Sequence, residues 1–260
     1  MLRGTVKFWA RIVDTERELT IPQICEFNPD ETGVEKVEVE GPNGTEIIIT
    51  VHISAVENEE LGIAIGTRIH KAILDRISFS RDIAIENGRA ENNLSPIDPQ
   101  VNTITPNAAD LVLMADHLKA SFTVPAADLK PILEEAALTK ARYFPFYRSA
   151  RLSISPVEEY MHLYNILLML FDDEQAEIEK FIFTQEPGVQ WKYRPDLPRE
   201  KERRLKGQPV KPVRETVYTR LRNEFGHKRE DVNLDDTKAE MAKCLSALRT
   251  LTKQAVESRS

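Results

Sequence analysis

A helix start can be read directly from Ser155-Pro156-Val157-Glu158. Ser155 is suited to the N-cap, Pro156 to the first helical position, and Glu158 falls where a capping box needs a carboxylate. Behind it Val157, Tyr160, Met161, Tyr164, Leu167, Leu168 and Phe171 recur at helical spacing, and Leu163, Ile166 and Leu170 widen the stripe. A helix apolar over so much of its circumference must be surrounded, so it is predicted to be central in a helical bundle.

The N-terminal part has the opposite period. Val6 to Val13 alternates, and so do Val34 to Glu40, with Val37 and Val39 set against Lys36, Glu38 and Glu40. Gly41-Pro42-Asn43-Gly44 supplies a turn before the β-branched run from Glu46 to Ile53, which predicts a hairpin over Val34–Ile53. Leu61 to Leu74 reads as a strand followed by a short helix. Asn92 to Pro106, with three prolines, reads as a linker or irregular connection. The fold class expected is α+β, with a β-rich or α+β domain over 1–106 and an all-α bundle of four or five helices over 107–260.

Within the second part, Ala108–Ala120 is expected to form a helix. Ala127–Arg151 is expected to form another, with Pro131 near its start and Pro145 kinking it. Residues 185–212 interrupt the pattern with Pro187, Pro195, Pro198, Pro209 and Pro212, and hold Lys192, Arg194, Arg199, Lys201, Arg203, Arg204, Lys206 and Lys211. This reads as an exposed basic insertion. Helix resumes near Arg214, and Asn233 is suited to cap a final helix carrying Asp235 and Asp236 in its first turn.

Charge divides the same way. Residues 1–125 hold 11 Lys/Arg against 20 Asp/Glu, and residues 126–260 hold 24 against 22. Only the C-terminal half is therefore suited to meet a polyanion. No apolar run approaches the roughly 20 residues of a membrane span. No signal peptide is expected at the N-terminus, and Cys25 and Cys244 are isolated, so a cytoplasmic setting is expected. His52, His70 and His117 lack spaced carboxylate or Cys partners, so neither a metal nor a cofactor is expected. A phosphate-cradling Gly-rich loop and a nucleophile elbow are both missing.

Chemistry concentrates in TVYTRLRNEFGHKR, from Thr216 to Arg229. Arg222 offers a planar fork of donors for a phosphate, and His227 a proton carrier near neutral pH. Arg220 gives a second register onto the same histidine, but only Arg222 is followed by a polar residue, Asn223. Gly226 can end the helix in a left-handed conformation, placing His227 just past the last turn. The bland alternative is that Arg222 pairs with Glu224, Glu215 or Asp231 while His227 caps the helix. His162, on the most apolar helix, reads as a hydrogen-bonded core residue, and the Tyr143–Tyr147 aromatic cluster as packing.

Arg222-Asn223-x-x-x-His227, set in the C-terminal helices of a bundle, resembles the signature of the HEPN superfamily. The resemblance covers roughly residues 125–257, and similar segments occur in small bacterial proteins labelled methylamine-utilisation J-type. It implies a four- or five-helix bundle. It further implies a metal-independent endoribonuclease that works as a homodimer, often in defence or toxin systems, where a protein partner or antitoxin is expected. By that resemblance Arg222 and His227 are catalytic and Asn223 orients the histidine or a phosphate oxygen. Lys228 and Arg229, together with Arg220, Arg203 and Arg204, would hold RNA phosphates. Other members of the superfamily are non-catalytic modules that bind RNA or a protein. That reading, with the N-terminal domain as a sensor, stays open, as does a purely structural bundle.

Overall fold

The computed structural model describes residues 1–14, 17–97, 120–134, 139–193, 205–207, 214–226 and 233–259. The chain is α+β and divides into two compact units, Met1–Leu152 and Ser153–Ser260.

The first unit is built on a six-stranded sheet. Its strands are β1 (Leu2–Ile12), β2 (Arg17–Phe27), β3 (Val34–Gly41), β4 (Glu46–Val56), β5 (Ile85–Pro96) and β6 (Ala120–Thr123), in the order β5-β1-β4-β3-β2-β6. All neighbours are antiparallel except β2 and β6. Alternation does what the sequence expects. Val6, Phe8, Ala10 and Ile12 of β1 and Ile47, Ile49, Val51 and Ile53 of β4 are buried, while the residues between them are not. The β3–β4 turn is fastened by Asn43, whose Oδ1 accepts from the backbone N–H of Thr45 and Glu46.

Three expectations are corrected here. Leu61–Leu74 is not strand and helix but the middle of one long helix, α1 (Glu59–Arg81), capped by Asn58. Ile63, Ile65 and Ile69 mimic a strand's alternation, and two glycines lower helix propensity. Those glycines, Gly62 and Gly66, face the sheet, and an added Cβ at Gly66 would come within 3.1 Å of the Phe8 ring. Asn92–Pro96 is not a linker but the end of β5, in register with Leu2–Val6. It is an exposed edge, so its polar side chains give no apolar alternation, and Pro96 sits at its last position. Ala127–Arg151 is not one kinked helix: α2 (Ala126–Glu134) is followed by a 3-10 turn (Thr139–Tyr143) and α3 (Phe144–Arg151). The helix expected over Ala108–Ala120 lies almost wholly outside the described residues.

The unit boundary also falls later than residue 106. Leu129 and Leu133 of α2 belong to the core of the sheet. Arg151, at the end of α3, donates to Asp14 Oδ2 at 2.5 Å and pairs with Asp82 at 3.2 Å. Asp82 also accepts from Tyr147 Oη and pairs with Arg17. This buried charge network ties α3 to the sheet. Nearby, His70 stacks on Phe8 at 4.5 Å between ring centroids. Burial, reinforced by Arg148 and Lys71, pushes its pKa down to about 4.

The second unit contains α4 (Pro156–Leu170), α5 (Gln175–Gln185), α6 (Val217–Gly226) and α7 (Leu234–Arg259). The start of α4 is the predicted one: Ser155 Oγ accepts from Glu158 N, and Glu158 Oε2 accepts from Ile154 N. As expected, α4 is central and packs against α5, α6 and α7. Tyr160, Leu163, Tyr164, Ile166 and Leu167 of α4 are buried, as are Leu221 of α6 and Met241, Leu245 and Leu248 of α7. Glu159 accepts two hydrogen bonds from Arg249, at 2.7 and 2.8 Å, which locks α4 to α7. Asn233 Oδ1 accepts from Asp235 N at the start of α7. β7 (Trp191–Tyr193) lies within the expected insertion and pairs in an antiparallel ribbon with β8 (Arg214–Thr216), where the sequence predicts helix to resume; the helix starts instead at Val217. No described helix is long and apolar enough to cross a membrane.

Candidate phosphate site on helix α6

Helix α6 carries Arg220, Arg222 and Asn223, and its first turn is held from four sides. Thr216 caps it: its Oγ accepts from Thr219 N at 3.4 Å. The backbone N–H of Thr216 donates to both oxygens of Glu179, from α5, at 2.9 and 3.2 Å. A carboxylate there also sits at the positive end of the helix dipole. Two tyrosines of α4 complete the grip: Tyr160 Oη donates to the carbonyl of Tyr218 at 2.8 Å, and Tyr164 Oη lies 2.7 Å from Thr219 Oγ. Tyr218 in turn donates to Glu186.

Burial dominates the electrostatics of this end. It raises the carboxyl pKa of Glu179, against the hydrogen bonds from Thr219 and Thr216, and nearby Glu215 raises it further. It also holds the phenols of Tyr160 and Tyr164 well above their ordinary range. The tyrosines therefore serve as neutral hydrogen-bonding anchors.

One turn further along, the two arginines differ. Arg220 Nη1 donates to both oxygens of Glu224, at 2.9 and 3.0 Å, and its Nη2 to Glu240 of α7 at 2.5 Å. Its charge is matched by two carboxylates, so a phosphate could reach Arg220 only by displacing them. Arg222 makes no ion pair with a described carboxylate. Its Nη1 donates to Asn223 Oδ1 at 3.0 Å, and its buried Nε has no partner among the described residues. Asn223 is buried and its Nδ2 donates to Glu215 Oε1 at 2.9 Å. The pairing of Arg222 with Glu224 or Glu215, weighed from the sequence, is not formed: Glu224 takes Arg220, and Glu215 takes Asn223.

Gly226 differs from expectation. The positive-φ glycines among the described residues are Gly4, Gly33, Gly44 and Gly207, and Gly226 is instead the last residue of α6. His227, Lys228, Arg229, Arg203 and Arg204 lie outside the described residues. Elsewhere, His162 is half-buried with Ser153 Oγ 3.2 Å from its Nδ1. The Tyr143–Tyr147 cluster packs, with Phe144 stacked on Phe79 at 4.4 Å.

No family model, curated protein or solved structure matches this chain. The resemblance to HEPN proteins thus rests on the motif residues and the helices around them. Among the described residues, no group of three or more His, Cys, Asp and Glu could hold a metal ion. A groove of about 550 Å³ in the first unit, bordered by Phe27, Ile69 and Leu133, has its arginines engaged: Arg68 pairs with Glu31, and Arg76 donates to the carbonyl of Leu133.

Sequence reasoning missed the groups that position Arg222. Glu179 carries no signal, Glu215 is weighed there as a partner of Arg222 rather than of Asn223, and Tyr160 and Tyr164 read only as part of the apolar stripe. The signal available was weak: a Thr-x-x-Thr pair, Thr216 and Thr219, at the start of an amphipathic segment. The ribbon was also missed, although Trp191 and Tyr193 alternate around Lys192.

Proposed function

We propose that the C-terminal unit is a metal-independent endoribonuclease of HEPN type, active as a homodimer. The observation that carries the reading is Arg222: a half-buried guanidinium fixed by Asn223 and left without a described carboxylate partner. A structural arginine in this helix looks like Arg220, with its charge matched on both sides. A cation held in place without a carboxylate partner among the described residues is suited to a phosphate oxygen; Asp231, the third partner weighed from the sequence, lies outside those residues.

In the proposed reaction, His227 accepts the proton of a ribose 2′-OH while O2′ attacks the adjacent phosphorus. Arg222 stabilises the charge on the equatorial phosphoryl oxygens. The P–O5′ bond breaks, the His227 imidazolium gives up the proton it accepted to O5′, and the products are a 2′,3′-cyclic phosphate and a 5′-hydroxyl. Asn223 has both ends of its amide occupied, so its part is to position Arg222 rather than to touch RNA.

A second reading, a bundle that binds RNA without cutting it, is favoured by the burial of Asn223, which gives the motif a structural role as well. The test is incubation of wild type, Arg222→Ala and His227→Ala with total RNA in EDTA. Cleavage by wild type alone, with cyclic-phosphate ends, supports the nuclease. Cleavage that survives both substitutions removes this site from the mechanism. Binding without cleavage favours the second reading.

A further inference from the structure

The ribbon that leads into α6 carries a feature the proposed reaction does not use. β7 is exposed along its whole length, with Trp191 40% and Tyr193 54% accessible. The two side chains share one face of the ribbon, because strand residues two apart point the same way. Their rings meet edge to face at 5.2 Å. Tyr193 is paired in register with Arg214, whose guanidinium lies 4.4 Å from the Trp191 ring centroid. The residues that join the two strands, 194–213, hold seven Lys/Arg against three Asp/Glu.

Trp191 also walls a cavity of about 290 Å³, shared with Val189, Gln190, Lys192, Val217 and Arg220. The ribbon is fixed to the candidate phosphate site, since the carbonyl of Gln190 accepts from the N–H of Val217, the first residue of α6. A surface of flat rings beside a guanidinium suits unpaired bases on a phosphodiester strand, because every base has a π-face and every link a charge. Duplex ends and grooves offer no splayed bases to such a short ribbon.

We infer that the β7–β8 ribbon binds single-stranded RNA, with Trp191 and Tyr193 stacking bases and Arg214 meeting the backbone beside them. The inference rests on the reading of this unit as one that engages RNA, and not on its cutting RNA.

Binding is measured on the full chain with a fluorescent 2′-O-methyl oligonucleotide of about 12 nucleotides, within the span of ssRNA sites. That probe lacks the attacking hydroxyl, so binding is read apart from cleavage. In a Trp9→Phe background Trp191 is the one remaining tryptophan, since the chain has two. The strand is expected to quench its fluorescence. Trp191→Ala and Tyr193→Ala should each weaken binding about 5- to 100-fold, Trp191→Phe should restore most of it, and a duplex of the same sequence should bind more weakly. Thermal melts confirm that each variant is folded.

Unchanged affinity in folded Trp191→Ala and Tyr193→Ala proteins overturns the inference, as does equal binding of the duplex or no binding by wild type. If Trp191→Ala binds normally while Arg222→Ala abolishes cleavage, the ribbon proposal fails and the nuclease reading stands. If the ribbon variants lose binding while wild type never cleaves, the reverse holds.

Discussion

Arg220 and Arg222 stand two residues apart on one helix with different surroundings, and substitution should separate them. Arg220→Ala leaves Glu224 and Glu240 without their shared cation and should cost the second unit about 2 kcal/mol. Arg222→Ala removes one hydrogen bond to Asn223 and should cost about 1 kcal/mol or less, while abolishing any RNA cleavage. Urea titration paired with a cleavage assay checks both; equal stability losses would contradict the division of roles. The motif could be located from residue types, but which arginine was spent could not, because Glu240 is brought to Arg220 by α7. His70 makes a pH-dependent prediction. Its folded pKa is about 4, against 6.5 ordinarily, so between those values the unfolded chain binds more protons. The contribution of neutral His70 is whole above about pH 6.5 and is lost as pH falls toward 4. His70→Phe keeps the stack on Phe8 and removes the titration. Its stability relative to wild type should therefore rise from pH 7 to pH 5 in urea melts. Arg148, Lys71 and Asp75 surround the site in both proteins, so the comparison isolates the imidazole.

Helix α1 shows how an element can defeat its local signals. Gly62 and Gly66 look like strand or loop residues until the sheet is in place, when they become the surface that lets α1 approach β1 and β4. A side chain at Gly66 would press on Phe8 and Val6, and Phe8 is backed by His70. Gly66→Val should cost about 1–3 kcal/mol through overpacking. Gly62→Ala should be tolerated, because the nearest atom to the new Cβ is the mobile end of Leu94. Thermal melts that rank the two the other way would refute this packing account. The elements that were legible carry their determinants within a few residues: the Ser155 cap, the Asn43 turn, the alternation of β1, β3 and β4. Those that were not, α1 and β5, owe their form to a partner far away in sequence. β5 is a strand because β1 offers it hydrogen bonds, not because of any pattern of its own.

At the scale of the whole molecule, proline-rich composition pointed to a boundary near residue 106, whereas the first compact unit runs to Leu152. What extends it is the burial of Leu129 and Leu133 and the Asp14–Arg151 pair, none of which leaves a local mark. A fragment of residues 1–152 should therefore unfold cooperatively, and one of residues 1–106 should not, since it lacks Leu129, Leu133 and the Arg151 that meets buried Asp14. Circular dichroism melts of the two fragments decide the point; a cooperative transition in the shorter one would place the boundary back at the prolines. The Asp14–Arg151 pair spans 137 positions, and a ribosome makes the chain from one end. At ~5–20 residues per second, Asp14 waits about 7 to 27 s for its cation to be synthesised. Until then β1 can pair with β4, but the carboxylate at its end favours water over the interior. The last helix of the unit thus brings the first strand its buried cation only once residue 151 has been made.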